Sequence, residues 1–207
     1  LLDPYFSSSK ISWLLENVNG LRNLANKGDV CFGTVDSWLI WNLTNGDTFA
    51  TDYTNASRTS LFNIQTLKWD DELLSIFDIP LQSLPEVRNS NDYFGETKLL
   101  SKKLKITGVI GDQQSSAFGQ SCYQSGDVKS TYGTGCFLLA NTGKEIIYSK
   151  KKLLTTISYK INDDLSYALE GSIFMAGGIM NWLKLNLGIL DNVSDSSKIA
   201  SSVDPSS

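Results

Sequence analysis

The sequence predicts an α/β fold, and three features carry that prediction. Apolar residues at helical spacing alternate with short runs of β-formers as far as Gln120. Ile106, Val109 and Ile110 read as a buried strand that stops at Gly111-Asp112, with a helix over 113–120 opening directly behind the turn. From Gly126 onward strand follows strand, so a new sheet is expected there. We therefore expect a domain boundary at about Ser125, dividing the chain into 1–125 and 126–207.

In chain order, residues 1–6 read as the end of a strand or loop with a proline turn, with Tyr5 and Phe6 as core aromatics by pattern alone. Serines 7–9 offer caps for a helix over 10–17, whose Ile11, Leu14 and Leu15 share one face. Residues 21–27 read as a helix ended by Gly28, and residues 30–33 as a short strand. Thr34 can cap a helix over 35–43, with Val35, Trp38 and Leu39 on one face and Asn45-Gly46 as its stop. Trp38 and Trp41 are read as core or interface aromatics.

Residues 69–77 suit an amphipathic helix. Asp70, Asp71 and Glu72 in its first turn read as charges favoured by the helix dipole rather than as a metal cluster. Pro80 and Pro85 punctuate the next loop, and residues 98–105 form a lysine-rich linker. Beyond the centre, 138–143 continue a strand, and 153–159 with 165–169 make a hairpin around Asn162-Asp163-Asp164. Residues 171–187 read as an apolar helix interrupted at Gly177-Gly178, where each glycine costs about 1 kcal/mol relative to alanine. Such a pair implies close packing against a neighbour, or room for a ligand against the backbone.

Composition narrows the function. With 207 residues, 41% of them hydrophobic, there is enough apolar surface for one large domain or two smaller ones. A net charge of −4 argues against nucleic acid or an anionic membrane as the main partner, and no apolar run approaches a membrane span. Three widely spaced cysteines without a CxxC pattern read as reduced core thiols of a cytoplasmic protein. There is no histidine, so acid–base chemistry within the chain falls chiefly to carboxylates. Both termini read as cut from something longer.

Asp112 is the candidate base, because a carboxylate between a strand end and a helix N-terminus is oriented by nearby amides. Twenty residues on, Thr131-Tyr132-Gly133-Thr134-Gly135 lies between β-rich runs. Its two glycines let backbone N–H groups turn inward toward phosphate. Gly-Asp is also an ordinary turn and Gly-Thr-Gly an ordinary hairpin; their order and closeness point further. Gly-Asp-Gln-Gln followed by Ser-Thr-Tyr-Gly-Thr-Gly-Cys-Phe resembles the FGGY carbohydrate kinases, and within them the members that act on glycerol. Two further stretches share the likeness: Tyr5-x-Ser-x-x-Lys-Ile-x-Trp-Leu-x-Glu-Asn, and residues 51–59, Thr-Asp-Tyr-Thr-Asn-Ala-Ser-Arg-Thr.

The resemblance implies a ribonuclease-H-like, actin/hexokinase-type architecture of two α/β domains, with parts of both in this chain. It implies transfer of the ATP γ-phosphoryl group to a primary hydroxyl of glycerol, with Mg²⁺ as cofactor, in a homo-oligomeric protein. On that reading Asp112 accepts the hydroxyl proton and reaches Mg²⁺ through water, with no metal ligand assigned directly. Tyr5 and Gln113 bond substrate hydroxyls, and Phe137 packs on the carbon chain. Gly133 and Thr134 hold the terminal phosphates, and Gly177 and Asn181 the nucleoside side; Asn181 stands where bacterial members usually have glutamine.

Asp52 and Arg58 could form an active pair, but equally a structural polar ladder or a subunit contact, so neither is placed in the site. The stretch 98–105 lacks the glycines and arginine of the loop that binds a sugar bisphosphate in regulated members. The family's first phosphate loop, its Arg-Glu pair and clamping tryptophan, and its adenine loop have no counterpart in the sequence. The segment alone is therefore not expected to turn over. A pentulose or gluconate kinase of the same family, and a non-catalytic nucleotide-binding module, are the alternatives.

Overall fold

The computed structural model describes residues 5–97, 99 and 102–204. The first half is built from short helices: α1 (Ser8–Asn17), α2 (Leu21–Lys27), α3 (Val35–Leu43), α4 (Tyr53–Ala56) and α5 (Asp71–Phe77). Three two-stranded pairings tie them together. Strand β1 (Ala50–Asp52) runs parallel to β4 (Glu86–Arg88); β2 (Phe62–Asn63) pairs with β3 (Lys68–Trp69), and β5 (Gly95–Thr97) with β6 (Leu104–Ile106), both antiparallel. Helix α6 (Asp112–Gly119) leads into an antiparallel sheet of β7 (Val128–Tyr132), β8 (Cys136–Gly143), β9 (Leu154–Ile161) and β10 (Asp164–Ile173), in spatial order β7-β8-β10-β9. Two helices close the described chain, α7 (Gly178–Leu185) and α8 (Asp195–Ser201).

Local sequence explains most of these boundaries. On α1, Ile11 and Leu15 bury against Ala25, Leu61, Leu74 and Ile79. Gly28 ends α2 in the left-handed region at φ 79°, a backbone state that glycine reaches without Cβ strain. Asp70 caps α5 by accepting from the Glu72 and Leu73 amides, so the acidic triplet is a helix start. Trp69, just ahead of it, belongs to β3, packs edge-on to Phe62 and donates its indole N–H to the Pro85 carbonyl. A separate cluster of Ala56, Phe62, Ile157 and Tyr167 joins the helical half to the large sheet.

Several expected elements differ. The strand predicted over 106–110 ends at Ile106; beyond it residues 107–110 join no strand, and the Val109 amide bonds the Ser90 carbonyl instead of a ladder. Residues 30–33 likewise form no strand, because Phe32 finds only the Ser83 carbonyl. Neither Ser7 nor Thr34 makes a side-chain cap; the Ser7 carbonyl takes the Lys10 and Ile11 amides instead. Helix α3 turns Ser37 and Ile40 inward, leaving Val35 74%, Trp38 63% and Trp41 45% exposed, so these tryptophans are not core. Phe6 is buried while Tyr5 is half exposed, and Cys31 lies at the surface. The predicted helix over 171–187 begins only at Gly178, since residues 171–173 extend β10. Residues 1–4, and Lys98, Leu100 and Ser101 of the lysine-rich linker, lie outside the described residues.

Candidate functional site

Directly opposed residues on paired strands share a face of a sheet, as do residues two apart on one strand. Lys129 of β7 and Glu170 of β10 both register with Leu139 of β8, so the three form one row across the sheet. The next row on that face is Thr131, Phe137 and Ser172. Leu139 packs with Ala117 of α6, so this is the face that α6 covers. Two charges, Lys129 at 1% exposure and Glu170 at 2%, are thereby buried under the helix that begins with Asp112.

The start of α6 is braced from the opposite side. Asp52 is fully buried and accepts from the Thr54 and Asn55 amides, the Thr54 hydroxyl, the Asn55 amide group and the Ser90 hydroxyl. Burial pushes its carboxyl above the ordinary range, and the bonds from Ser90, Asn55 and Thr54 oppose that shift. The Thr54 hydroxyl in turn accepts from the Gly111 amide at 2.8 Å, and Gln114 reaches the Ile157 carbonyl at 3.3 Å. Asp112 thus emerges exposed from a fixed backbone, its Oδ1 accepting from the Gln113 amide at 2.8 Å. The Gln113 side chain gives its Nε2 to Asp112 Oδ2 at 3.4 Å and takes a bond from Lys129 Nζ on its Oε1.

Strand β7 runs from Lys129 into the predicted Gly133-Thr134-Gly135 turn, which joins it to β8. The start of α7 is bonded to this turn: Gly177 N–H donates to the Gly133 carbonyl at 2.9 Å, and Ala176 and Gly178 donate to that of Thr134 at 2.8 and 3.1 Å. A Cβ on Gly177 would lie 2.6 Å from the Gly133 oxygen, so the glycine pair is explained by close backbone approach. Asn181 stands exposed on the first turn of α7, and Phe137 is partly buried beside Gly135.

Tyr5 enters through a different contact. Arg58 lies 5.3 Å from its ring centroid and 5.0 Å from that of Phe6, while Tyr5 also neighbours Phe174 at 6.2 Å. The same guanidinium pairs with Glu170 at 2.8 Å, and Ser172 donates to that carboxylate at 3.2 Å. Arg58 Nη1 and Glu170 Oε2 are buried without a hydrogen-bond partner. Asp52 and Arg58 are therefore not a pair: one caps α4 and braces Gly111, and the other links Tyr5 to the sheet.

Sequence reasoning passed over Lys129 and Glu170. The available signal was alternation, since Lys129 falls in phase with Thr131 on the inward side of β7. A cavity of about 600 Å³ opens between Phe6, Phe62, Asp70, Tyr148 and Lys152, away from Asp112 and the Gly133 turn. Among the described residues no group of three or more His, Cys, Asp or Glu could hold a metal ion, and no described helix is long and apolar enough to cross a membrane.

Residues 1–119 match the FGGY family of carbohydrate kinases, N-terminal domain. The chain is 54% identical over 206 residues to glycerol kinase 2 of Clostridium tetani, covering 99% of this chain and 42% of that relative. It is 53% identical to the glycerol kinase of Natranaerobius thermophilus, covering 100% of this chain and 42% of that protein. Among solved structures, Plasmodium falciparum glycerol kinase with ADP superposes with a TM-score of 0.88 at 43% identity, over 97% of this chain and 41% of that one. Ligand-bound xylulose kinase from Lactobacillus acidophilus gives a TM-score of 0.79 at 21% identity, over 96% and 40%, a likeness of fold. The chain spans about two fifths of the length of the curated relatives it matches.

Proposed function

The chain belongs to the FGGY family of carbohydrate kinases, and on that premise we propose that it supplies the acceptor-activating and phosphate-facing parts of an ATP-dependent glycerol kinase, forming glycerol 3-phosphate. The observation that carries this reading is the tie between its two halves. The helix start bearing Asp112 is held through Gln113 and Lys129 to the strand that runs directly into the Gly133 turn. The identities of 53–54% to glycerol kinases support glycerol as the acceptor.

Asp112 is exposed, positioned by a braced backbone, and takes the proton of the attacking hydroxyl in this reading. Gln113 and Tyr5 hold the substrate hydroxyls, and Phe137 faces the carbon chain. Gly133 and Thr134 lie against the terminal phosphates, with Gly177 and Asn181 toward the nucleoside. The glycine pair suits this, because it lets the start of α7 lie directly against the Gly133 turn and so keeps the two segments side by side. With a loose transition state, alignment and charge stabilisation do most of the work.

Asp112 alone fits a Mg²⁺ ion carried by the nucleotide phosphates and reached through water, rather than a protein cage. When bound, such an ion neutralises charge on the transferring phosphoryl group. A boundary between N- and C-terminal family domains near Ser125 is supported by the family match over 1–119 and by the sheet that starts at Val128. The same reading takes the protein as cytoplasmic and homo-oligomeric, to be checked by fractionation and light scattering. It also expects no turnover from this chain by itself, which spans about two fifths of its relatives.

The test is ATP-dependent phosphorylation by the full-length gene product, offered glycerol beside xylulose, ribulose and gluconate. Wild type is expected to prefer glycerol, and Asp112→Asn to lose roughly 10²–10⁴-fold in kcat. Equal rates in both would remove Asp112 as base. Turnover of another sugar with none of glycerol would overturn the substrate.

A further inference from the structure

We propose that Lys129 is a positioning residue that sets the sense of the Gln113 amide, fixing its Nε2 edge toward Asp112 and the acceptor. This rests on the glycerol kinase reading and deepens it. A glutamine side chain offers one acceptor and one donor edge that are nearly equal in shape, so something must decide which edge faces the substrate. Here the deciding group is an ammonium with donors only, placed on the Gln113 oxygen. The reversed amide would bring its own N–H₂ against the ammonium and turn its oxygen toward the Asp112 carboxylate. Both contacts would be repulsive.

Lys129 is suited to this task because it has little freedom. It is 1% exposed, lies in the row with Leu139 and Glu170, and sits under α6. Burial lowers its pKa from the ordinary lysine value, and the carboxylates of Asp112 and Glu170 oppose that shift by favouring its charge. Glu170 has one oxygen committed to Arg58 and Ser172 and the other without a partner, so its negative charge also acts on the ammonium. The consequence is chemical selectivity. With Nε2 turned outward, Gln113 donates to an acceptor oxygen, while Asp112 takes a proton from the hydroxyl beside it. A pair of neighbouring hydroxyls meets both demands, and a lone hydroxyl meets only one.

Two measurements on the full-length gene product test this. In the kinetic cycle, Lys129→Met is expected to raise the glycerol KM about 10-fold. It should change kcat and the ATP KM much less, and Lys129→Arg, which keeps a cationic donor, should recover most of the loss. In a Gln113→Leu background, Lys129→Met should add nothing further, because the group it acts through is gone. Full additivity in that background overturns the proposal. The second measurement needs no turnover: protein labelled with ¹⁵N-glutamine, the Gln113 side-chain signals identified by their loss in Gln113→Leu. Two separated, slowly exchanging amide protons are expected in wild type and in Lys129→Arg, collapsing toward an exposed glutamine in Lys129→Met. Unchanged signals in Lys129→Met overturn the proposal even if the protein proves to act on another substrate, and absence of glycerol turnover alone sinks only the functional reading.

Discussion

Asp52 shows how a residue outside the proposed site can brace it. Its two oxygens collect donors from Thr54, Asn55 and Ser90, and Thr54 passes the order on to Gly111, the residue before Asp112. Removing the carboxylate leaves those buried donors unpaired, so Asp52→Ala should lower stability by about 1–3 kcal/mol in denaturant melts. Asp52→Asn should also lose stability, since its N–H₂ would face donors. The linkage sign follows from burial, which raises the folded-state pKa above 3.8. Between those two values the native state holds the proton more tightly, so this group's contribution is present below pH 3.8 and is lost as pH rises through the folded value. An acid titration of stability in wild type against Asp52→Ala reads that difference directly. The helix start at Asp112 and the Gly133-Thr134-Gly135 turn between β7 and β8 were legible in the sequence because a strand-end turn and a glycine turn follow each other closely, each flanked by regular apolar runs. Lys129 and Glu170 were not, because a lone charge within a β-run looks like a surface residue until the opposite strand is known.

At the level of elements, helices were easier to read than strands. Helix α2 ends at Gly28 as expected, and α5 differs from its predicted start only because Trp69 pairs with Phe62. A strand depends on a partner remote in sequence, and residues 30–33 and 107–110 each found one carbonyl instead of a ladder. The glycines at 177–178 were read as a helix interruption because apolar spacing continues through them, whereas β10 ends at Ile173 and α7 begins at Gly178. Their packing gives a sharp expectation. Gly177→Ala would place a methyl 2.6 Å from the Gly133 carbonyl, where backbone must shift. The variant should melt lower and raise the KM for ATP several-fold while leaving that for glycerol nearly constant. Equal changes in both would disconnect the glycine pair from the nucleotide.

At the scale of the whole molecule, the ion pair of Arg58 with Glu170 links the helical half to the large sheet. Arg58 and Glu170 are both well shielded, so removing one partner strands a charge, and Arg58→Met is expected to cost about 3–5 kcal/mol. The double change Arg58→Met with Glu170→Gln should recover part of that, which a denaturant cycle would show as strong non-additivity. Simple addition of the two single losses would mean that the pair is held apart by solvent.

The same pair has a consequence in time. Its partners are 112 residues apart in the chain. At a synthesis rate of about 5–20 residues per second, Arg58 leaves the ribosome roughly ten seconds before Glu170 exists. During that interval the guanidinium lacks its carboxylate, while the rings of Tyr5 and Phe6, which it meets in the fold, are already in the chain. The proposed acceptor end of the site therefore cannot be completed as the chain emerges. It waits for β10, and a ribosome stalled before Glu170 would carry a nascent chain in which Arg58 has yet to meet its carboxylate.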